Sequence, residues 1–330
     1  MSTPDHSCWD WQPSAPSRLE QPVSLLRLQG PDALRVLHGQ TSQAIELAPP
    51  GSALATCVIS PTARLRALAQ VLVDDGGAWL LVEAGDGAAV RSALDRVLFP
   101  ADRVELGPLQ AALLSTPVLG GDETALPAGL PHCDPGHWQP LRAGSDAWLL
   151  GHQWLQLSDN ALRPDALTVR VPLVPSEQER WRLQQGIPAA PGELNDDCNP
   201  FELGLADRVS LNKGCYVGQE TLAKLATYDG VKQQLRRWGW LQPADQAMGT
   251  AALTTSQSLL NSTGERAGQI TSVLAVPQAD GGTLWLGLAL VRRNALEQVT
   301  LQAGDQGPSL AISKPEAFVD PPVSAAQRRA

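Results

Sequence analysis

Residues 23–28 alternate in the manner of a strand, and Gly30-Pro31-Asp32 then opens a short helix that places Leu34 and Leu37 on one face. Three further strand-like runs follow at 52–59, 65–73 and 78–83. The last two are joined by Asp74-Asp75-Gly76-Gly77, whose glycines suit a hairpin turn. Over 86–98 the apolar period becomes helical, through Val90, Ala93, Leu94, Val97 and Leu98, and 104–106 reads as a returning strand. The order β-α-β-β-β-α-β predicts an α+β plait and argues against a doubly wound parallel sheet.

Weaker strand signals recur at 111–114, 147–150 and 167–171 among Gly- and Pro-rich connections, and Ser176-Glu177-Gln178-Glu179 offers a cap for a helix ending at Gly186. After Gln233 the character changes. Runs at 235–241, 267–274 and 283–291 lie between Gly, Asn and Ser turns with no long helical period, which predicts a small β-barrel. Trp238-Gly239-Trp240 would place both indoles on one face of its first strand; stacking on nucleic acid is the less favoured reading. The predicted division is a loose arm at 1–20, a first α+β domain at 21–106, a second at 107–232, a barrel at 233–314 and a mobile Pro- and Ala-rich tail at 315–330.

Composition narrows the function classes. The formal charge is −9, and the only lysines are Lys213, Lys224, Lys232 and Lys314, so no overall basic field exists for gripping DNA. No apolar run is long enough to cross a bilayer, and the first residues lack a cationic leader, which predicts a cytoplasmic protein without a membrane partner. Five cysteines, an odd number without a C-x-x-C pair, suit a reducing compartment. No lysine precedes Ser or Thr, so a phosphate loop of the G-x-x-x-x-G-K-[ST] type is absent. His132, Cys133 and His137 offer three candidate ligands without a fourth, and no metal site is expected.

Chemistry concentrates in Lys213-Gly214-Cys215-Tyr216-Val217-Gly218-Gln219-Glu220, just before a helix with Leu222, Leu225 and Ala226 inward. A thiol reacts as thiolate, and both a neighbouring ammonium from Lys213 and a helix N-terminus would favour that form. Gly214 and Gly218 would let the main chain approach a flat ligand. The competing reading makes Cys215 a small buried hydrophobe. Between Leu211 and Trp240 the cations Lys213, Lys224, Lys232, Arg236 and Arg237 face only Glu220 and Asp229, a stretch suited either to an anionic ligand or to plain solvation.

This octapeptide resembles the K-G-C-Y-x-G-Q-E signature of the YgfZ family, folate-binding proteins related to the T-protein of the glycine cleavage system. Gly30-Pro31-Asp32-Ala33 with Leu37-His38-Gly39-Gln40-Thr41 is similar to the family's G-x-D-A…L-x-G-Q-x-T element, Gly186-Ile187-Pro188 to its G-x-P step, and residues 264–272 to a T-protein barrel motif. The resemblance implies a three-domain ring of two plait-like α+β domains and a C-terminal β-barrel around a pocket for tetrahydrofolate or a derivative. It also implies a role in assembly or repair of iron–sulfur enzymes, including those that methylthiolate tRNA, with such enzymes as clients and a transient iron–sulfur cluster as possible cargo. By the same resemblance Cys215 and Lys213 carry the chemistry, and Gly214, Tyr216, Gly218, Gln219 and Glu220 line the folate.

Where relatives often have K-G-R this chain has Thr62-Ala63-Arg64, so Arg64 alone transfers. Val23 and Gln178 stand where some relatives place a tryptophan on the folate ring. Trp181 could stack on the pterin in their place or simply pack its helix on the core. Two other functions compete: an aminomethyltransferase of the T-protein kind, which needs a carboxylate near folate N5, and a non-catalytic module binding tRNA or a partner through residues 213–237. Direct tRNA binding is disfavoured by the acidic chain.

Overall fold

The structure, a computed structural model, describes residues 6–245 and 253–322. A long strand, β1 (Ser17–Gln29), runs through the middle of the first sheet, and α1 (Ala33–Gln40) follows it. Then come the meander β2 (Ala53–Ile59), β3 (Leu65–Asp74) and β4 (Gly77–Gly85), helix α2 (Gly87–Val97), and β5 (Glu105–Val118). Leu25, Leu26 and Leu28 of β1 are fully buried because both faces of the sheet are covered there. Asp86 starts α2 by accepting from the backbone N–H groups of Ala88 (2.9 Å) and Ala89 (3.1 Å), which turns Val90 and Leu94 inward.

Three short strands, β6 (Trp138–Pro140), β7 (Ala147–Leu150) and β8 (Gln153–Gln156), extend the same sheet beyond β5. A one-turn helix α3 (Asp165–Thr168), the two-residue strand β9 (Val171–Pro172), α4 (Pro175–Gln185) and α5 (Gln219–Thr227) complete this part. The sheet order is β2-β3-β4-β1-β5-β8-β7-β6, with β9 also pairing β1. The two α+β regions therefore share one continuous sheet, and the expected boundary between residues 106 and 107 falls inside β5. β5 passes through Gly107-Pro108 as a single strand, paired to β1 on both sides of a register shift there.

The final six strands are β10 (Gln233–Gln242), β11 (Ser258–Leu260), β12 (Arg266–Pro277), β13 (Thr283–Arg292), β14 (Thr300–Ala303) and β15 (Ser309–Ser313). They close in the order β10-β13-β12-β11-β14-β15. Trp238 is fully buried in the barrel core, where its indole N–H donates to the Leu288 carbonyl (3.0 Å), and Trp240 packs on the same cluster. Both indoles thus serve the core on one strand face.

Three local expectations need correction. Residues 17–20, read as loose arm, begin β1, and Trp9 is buried because its ring packs beneath the Arg237 guanidinium; residues 1–5 lie outside the described residues. Leu167 and Thr168, read as strand, belong to α3. The start of the expected tail is anchored by an apolar side chain: Phe318 is buried against Gly204, and Val319 bridges to Leu205. Residues 323–330 lie outside the described residues. At α4, the helix begins with Pro175, and Glu177 accepts from the Val174 N–H (3.1 Å), so Glu177 takes part in capping and Ser176 does not.

Candidate functional site

The loop before α5 is fastened to the end of α1 by residues far apart in sequence. A helix leaves its last carbonyls without intrahelical donors. Lys213 Nζ supplies donors there, to the carbonyls of His38, Thr41 (2.7 Å) and Gln43 (2.8 Å). His38 returns the contact: its Nε2 meets the Lys213 carbonyl (2.7 Å), while Nδ1 accepts from the N–H groups of Ile45 (3.2 Å) and Glu46 (3.1 Å). These partners assign the ring proton to Nε2. The Val217 N–H donates to the Gly39 carbonyl (3.0 Å), and the Ser42 hydroxyl donates to the Arg208 carbonyl (2.6 Å).

Within the loop successive side chains take different directions. Cys215 is exposed, beside an exposed Gly214 whose φ is +94° and around which a Cβ would meet no atom within 4 Å. Tyr216 turns inward and is buried with its ring under Lys213 Nζ, 4.4 Å from the centroid; burial pushes its hydroxyl up to about 12. Burial also pushes the Lys213 ammonium down to about 7, against the opposing charge of Glu46, and its three hydrogens each have a carbonyl partner. Lys213 therefore acts on the loop's position; its ammonium is spent on carbonyls and the Tyr216 ring.

Gly218, at φ +79°, starts α5 in contact with the turn after β2: a Cβ there would lie 2.7 Å from the Ser60 carbonyl oxygen and 2.8 Å from Ile59 Cδ1. That turn contains Ala63 at φ +60°, so the alanine in Thr62-Ala63-Arg64 keeps a left-handed conformation that favours glycine. Leu222 and Ala226 of α5 are buried, and Leu225 packs partly against the same core.

Three cavities adjoin one another. The first, about 880 Å³, lies between α2, strands β2 to β4 and residues 190–196, with Ile59, Val90, Leu94 and Val217 among its apolar walls and Gln40 and Asn195 at its edge. The second, about 690 Å³, shares Ala190 and Asn195 with it and runs between α4 and β12, past Asp197, Gln269 and Thr271. The third, about 890 Å³, shares Asp197, Gln233 and Arg292 with the second. Across the second cavity the buried Glu193 joins the α+β part to the barrel, accepting from Ser272 Oγ (2.8 Å), the Ala189 N–H (3.1 Å) and Arg182 (3.4 Å).

The residues singled out in the sequence thus separate. Lys213, Cys215, Tyr216 and Gly218 share one loop, and Val217 joins that loop to the first cavity; Cys215 itself is not among the cavity-lining residues. Gln219 begins α5, half-buried, its N–H on the Tyr216 carbonyl (3.1 Å). Glu220, expected at the ligand, lies in solvent paired with Lys224 (2.7 Å), one helical turn on. Arg64 lines the third cavity, held by the Asp197 carbonyl and 3.9 Å from Glu202. Trp181, expected either to stack on a pterin or to pack its helix on the core, packs with Leu19, Val118, Leu173 and Trp11.

The basic stretch does not form one face. Lys213 caps α1, Lys224 pairs with Glu220, Arg236 lies over Phe318 (5.2 Å) and Arg237 over Trp9 (4.8 Å). What the sequence did not reveal is a charged cavity wall assembled from separate segments, with Arg64, Lys232, Arg292 and Arg293 beside Asp197, Glu202 and Asp229. The adjacent arginines 292 and 293 were visible, but nothing local placed them beside Lys232.

Exposure separates the thiols as well. Burial raises Cys57 and Cys198 to about 12, and raises Cys8 and Cys133 less strongly. Iodoacetamide at neutral pH, read by peptide mass spectrometry, is expected to label Cys215 first and to leave Cys57 and Cys198 unlabelled until the protein unfolds. Slower labelling of Cys215 than of Cys8 would contradict the exposed placement.

No family profile matches the chain. Over 288 residues it is 27% identical to a chloroplastic protein of Arabidopsis thaliana provisionally named a transferase, a match covering 82% of this chain and 63% of that protein. The chain thus spans less than two thirds of that relative's length. Among solved structures it is similar to the glycine cleavage system aminomethyltransferase T from Bartonella henselae, with a TM-score of 0.69 and 17% identity over 96% of this chain and 90% of that one. The fold is that of a T-protein, a mixed α/β part joined to a closed six-stranded barrel. Among the described residues no helix is long and apolar enough to cross a membrane.

Proposed function

We propose that this chain is a YgfZ-type accessory protein that binds a reduced folate and uses the Cys215 thiol in the assembly or repair of iron–sulfur enzymes, tRNA methylthiolating enzymes among them, in a reducing, cytoplasmic setting. The observation that carries this reading is an exposed Cys215 on a loop pinned at both sides, two residues from a side chain that lines a cavity of about 880 Å³. A pinned loop presents its thiol in one place without ordering cost at each encounter. That volume lies within the roughly 300–1,000 Å³ of ordinary small-molecule sites, and aliphatic walls with a few edge polar groups suit a flat heteroaromatic ring. Val90, Leu94 and Ile59 would hold the ring faces; Gln40 and Asn195 could meet its polar edge. The folate would supply a one-carbon carrier or hydride chemistry.

A resident iron–sulfur cluster does not fit the same residues. Such clusters are held by several thiolates, and among the described residues no three His, Cys, Asp or Glu side chains converge into a cage. A cluster enters this reading only as cargo of the client enzyme.

Calorimetry with 5-formyltetrahydrofolate tests the ligand. Wild type is expected to bind it, and Ala93→Trp, which fills the cavity from a half-buried position on α2, is expected to weaken binding at least tenfold while keeping the circular dichroism and melting temperature. Absence of binding to wild type at millimolar ligand would remove the folate from the reading.

The T-protein fold itself favours a second reading, aminomethyl transfer to tetrahydrofolate. Of the carboxylates at the first cavity, Asp86 is committed to capping α2, and Asp196 lies 3.3 Å from Arg66. Ammonia and methylenetetrahydrofolate released from an aminomethyl-lipoyl carrier would establish it.

A further inference from the structure

Two consecutive residues of α1 hold the two ends of the Cys215 loop. At its start the His38 ring donates through Nε2–H to the Lys213 carbonyl (2.7 Å), and at its end the Gly39 carbonyl accepts from the Val217 N–H (3.0 Å). Between these points lie Gly214 and Cys215, both exposed, and Tyr216, whose buried ring turns the chain inward. Gly214 stands at φ +94° with open space on the side a Cβ would occupy, and a glycine by itself prefers no one direction. The course of the chain into Cys215 is therefore set by its anchors.

A neutral imidazole carries a donor and an acceptor on one rigid ring. Here Nδ1 takes the N–H groups of Ile45 (3.2 Å) and Glu46 (3.1 Å), which fix the plane of the ring and so aim Nε2–H at the Lys213 carbonyl. Lys213 Nζ reaches back to the His38 carbonyl, so the side chain of each residue holds the main chain of the other. The two bonds differ in what they control. A lysine stem is flexible and keeps the loop near the end of α1, whereas the ring is stiff and sets the direction of the loop's main chain. We infer that His38 is a positioning residue for the Cys215 thiol, acting through the Lys213 carbonyl to set where Gly214 delivers the sulfur. The inference rests on the reading of Cys215 as the working thiol and adds the residue that aims it.

Two amides divide the histidine's two bonds. In His38→Gln the terminal N–H group stands where Nε2–H was and reaches the Lys213 carbonyl. In His38→Asn the side-chain oxygen stands where Nδ1 was and keeps Ile45 and Glu46, while Lys213 loses its donor. Both variants are made in the full chain and compared with wild type at a temperature where each is fully folded by circular dichroism. Trypsin reads the loop directly, because it cuts after Lys213 only when that segment leaves its place. Loss of one hydrogen bond predicts cleavage there about fivefold faster in His38→Asn and near the wild-type rate in His38→Gln. Rescue of iron–sulfur enzyme activity in cells lacking the protein is expected to fall roughly tenfold in His38→Asn and to be kept by His38→Gln, since a 1 Å misplacement can cost about a hundredfold in rate. Wild-type cleavage of His38→Asn overturns the inference whatever the rescue. Equal impairment of the two variants overturns the assignment to the Nε2 bond, and faster cleavage with full rescue overturns the link to the thiol's work. Full rescue by Cys215→Ser instead removes the working thiol and leaves the cleavage result on His38 standing, so the two failures are told apart.

Discussion

Cys215→Ser is expected to abolish rescue of iron–sulfur enzyme activity in cells lacking this protein, while the melting temperature and folate affinity stay at wild-type values. The substitution exchanges one exposed atom and removes no contact with the core, so its effect on stability falls within about 0.5 kcal/mol. Its chemical effect is large, since a serine hydroxyl is hardly ionised at neutral pH and neither attacks nor binds as a thiolate does. Cys133→Ser serves as a control of similar size. That thiol is held among the carbonyls of His137 (3.1 Å) and Leu149 (3.6 Å), away from the α1–α5 loop, and its replacement is expected to leave rescue intact. Full rescue by Cys215→Ser would refute the thiol's role whatever the folate does.

Local signals in the sequence were enough for much of this fold. The Asp74-Asp75-Gly76-Gly77 hairpin, the α2 stripe through Val90 and Leu94, the αL stop of α4 at Gly186 and the paired indoles of β10 each depend on neighbours a few residues away. Long-range partners decided the rest. Pairing to β1 carries β5 through Gly107-Pro108, and the resulting sheet joins regions that composition had divided. At the site, the sequence places Cys215 beside Lys213 and before a helix. It does not say where the lysine's four-carbon stem sends the charge. That answer lies in carbonyls more than 170 residues upstream. For Glu220 the partner is local instead: it pairs with Lys224, one turn along its own helix. Similarly, the charged wall of the third cavity joins residues 64, 202, 232 and 292, which no window along the chain brings together.

Lys213→Met separates the two roles that its position allows. Methionine keeps an unbranched stem near the Tyr216 ring and removes every donor, so the carbonyls of His38, Thr41 and Gln43 lose the group that closes the end of α1. Partly buried carbonyls without a donor cost about 1–3 kcal/mol apiece. Water reaching some of them would leave a net destabilisation of about 2 kcal/mol or more, read as a lower denaturant midpoint at an unchanged slope. An anchoring lysine predicts that the alkylation rate of Cys215, measured where the variant is still fully folded, does not fall. A lysine that held the thiolate by its charge would produce the reverse, a labelling rate about tenfold lower at neutral pH with stability unchanged. The first pattern is expected, because three carbonyls and an aromatic face already surround the ammonium and direct it into the protein, while the sulfur two residues away faces solvent.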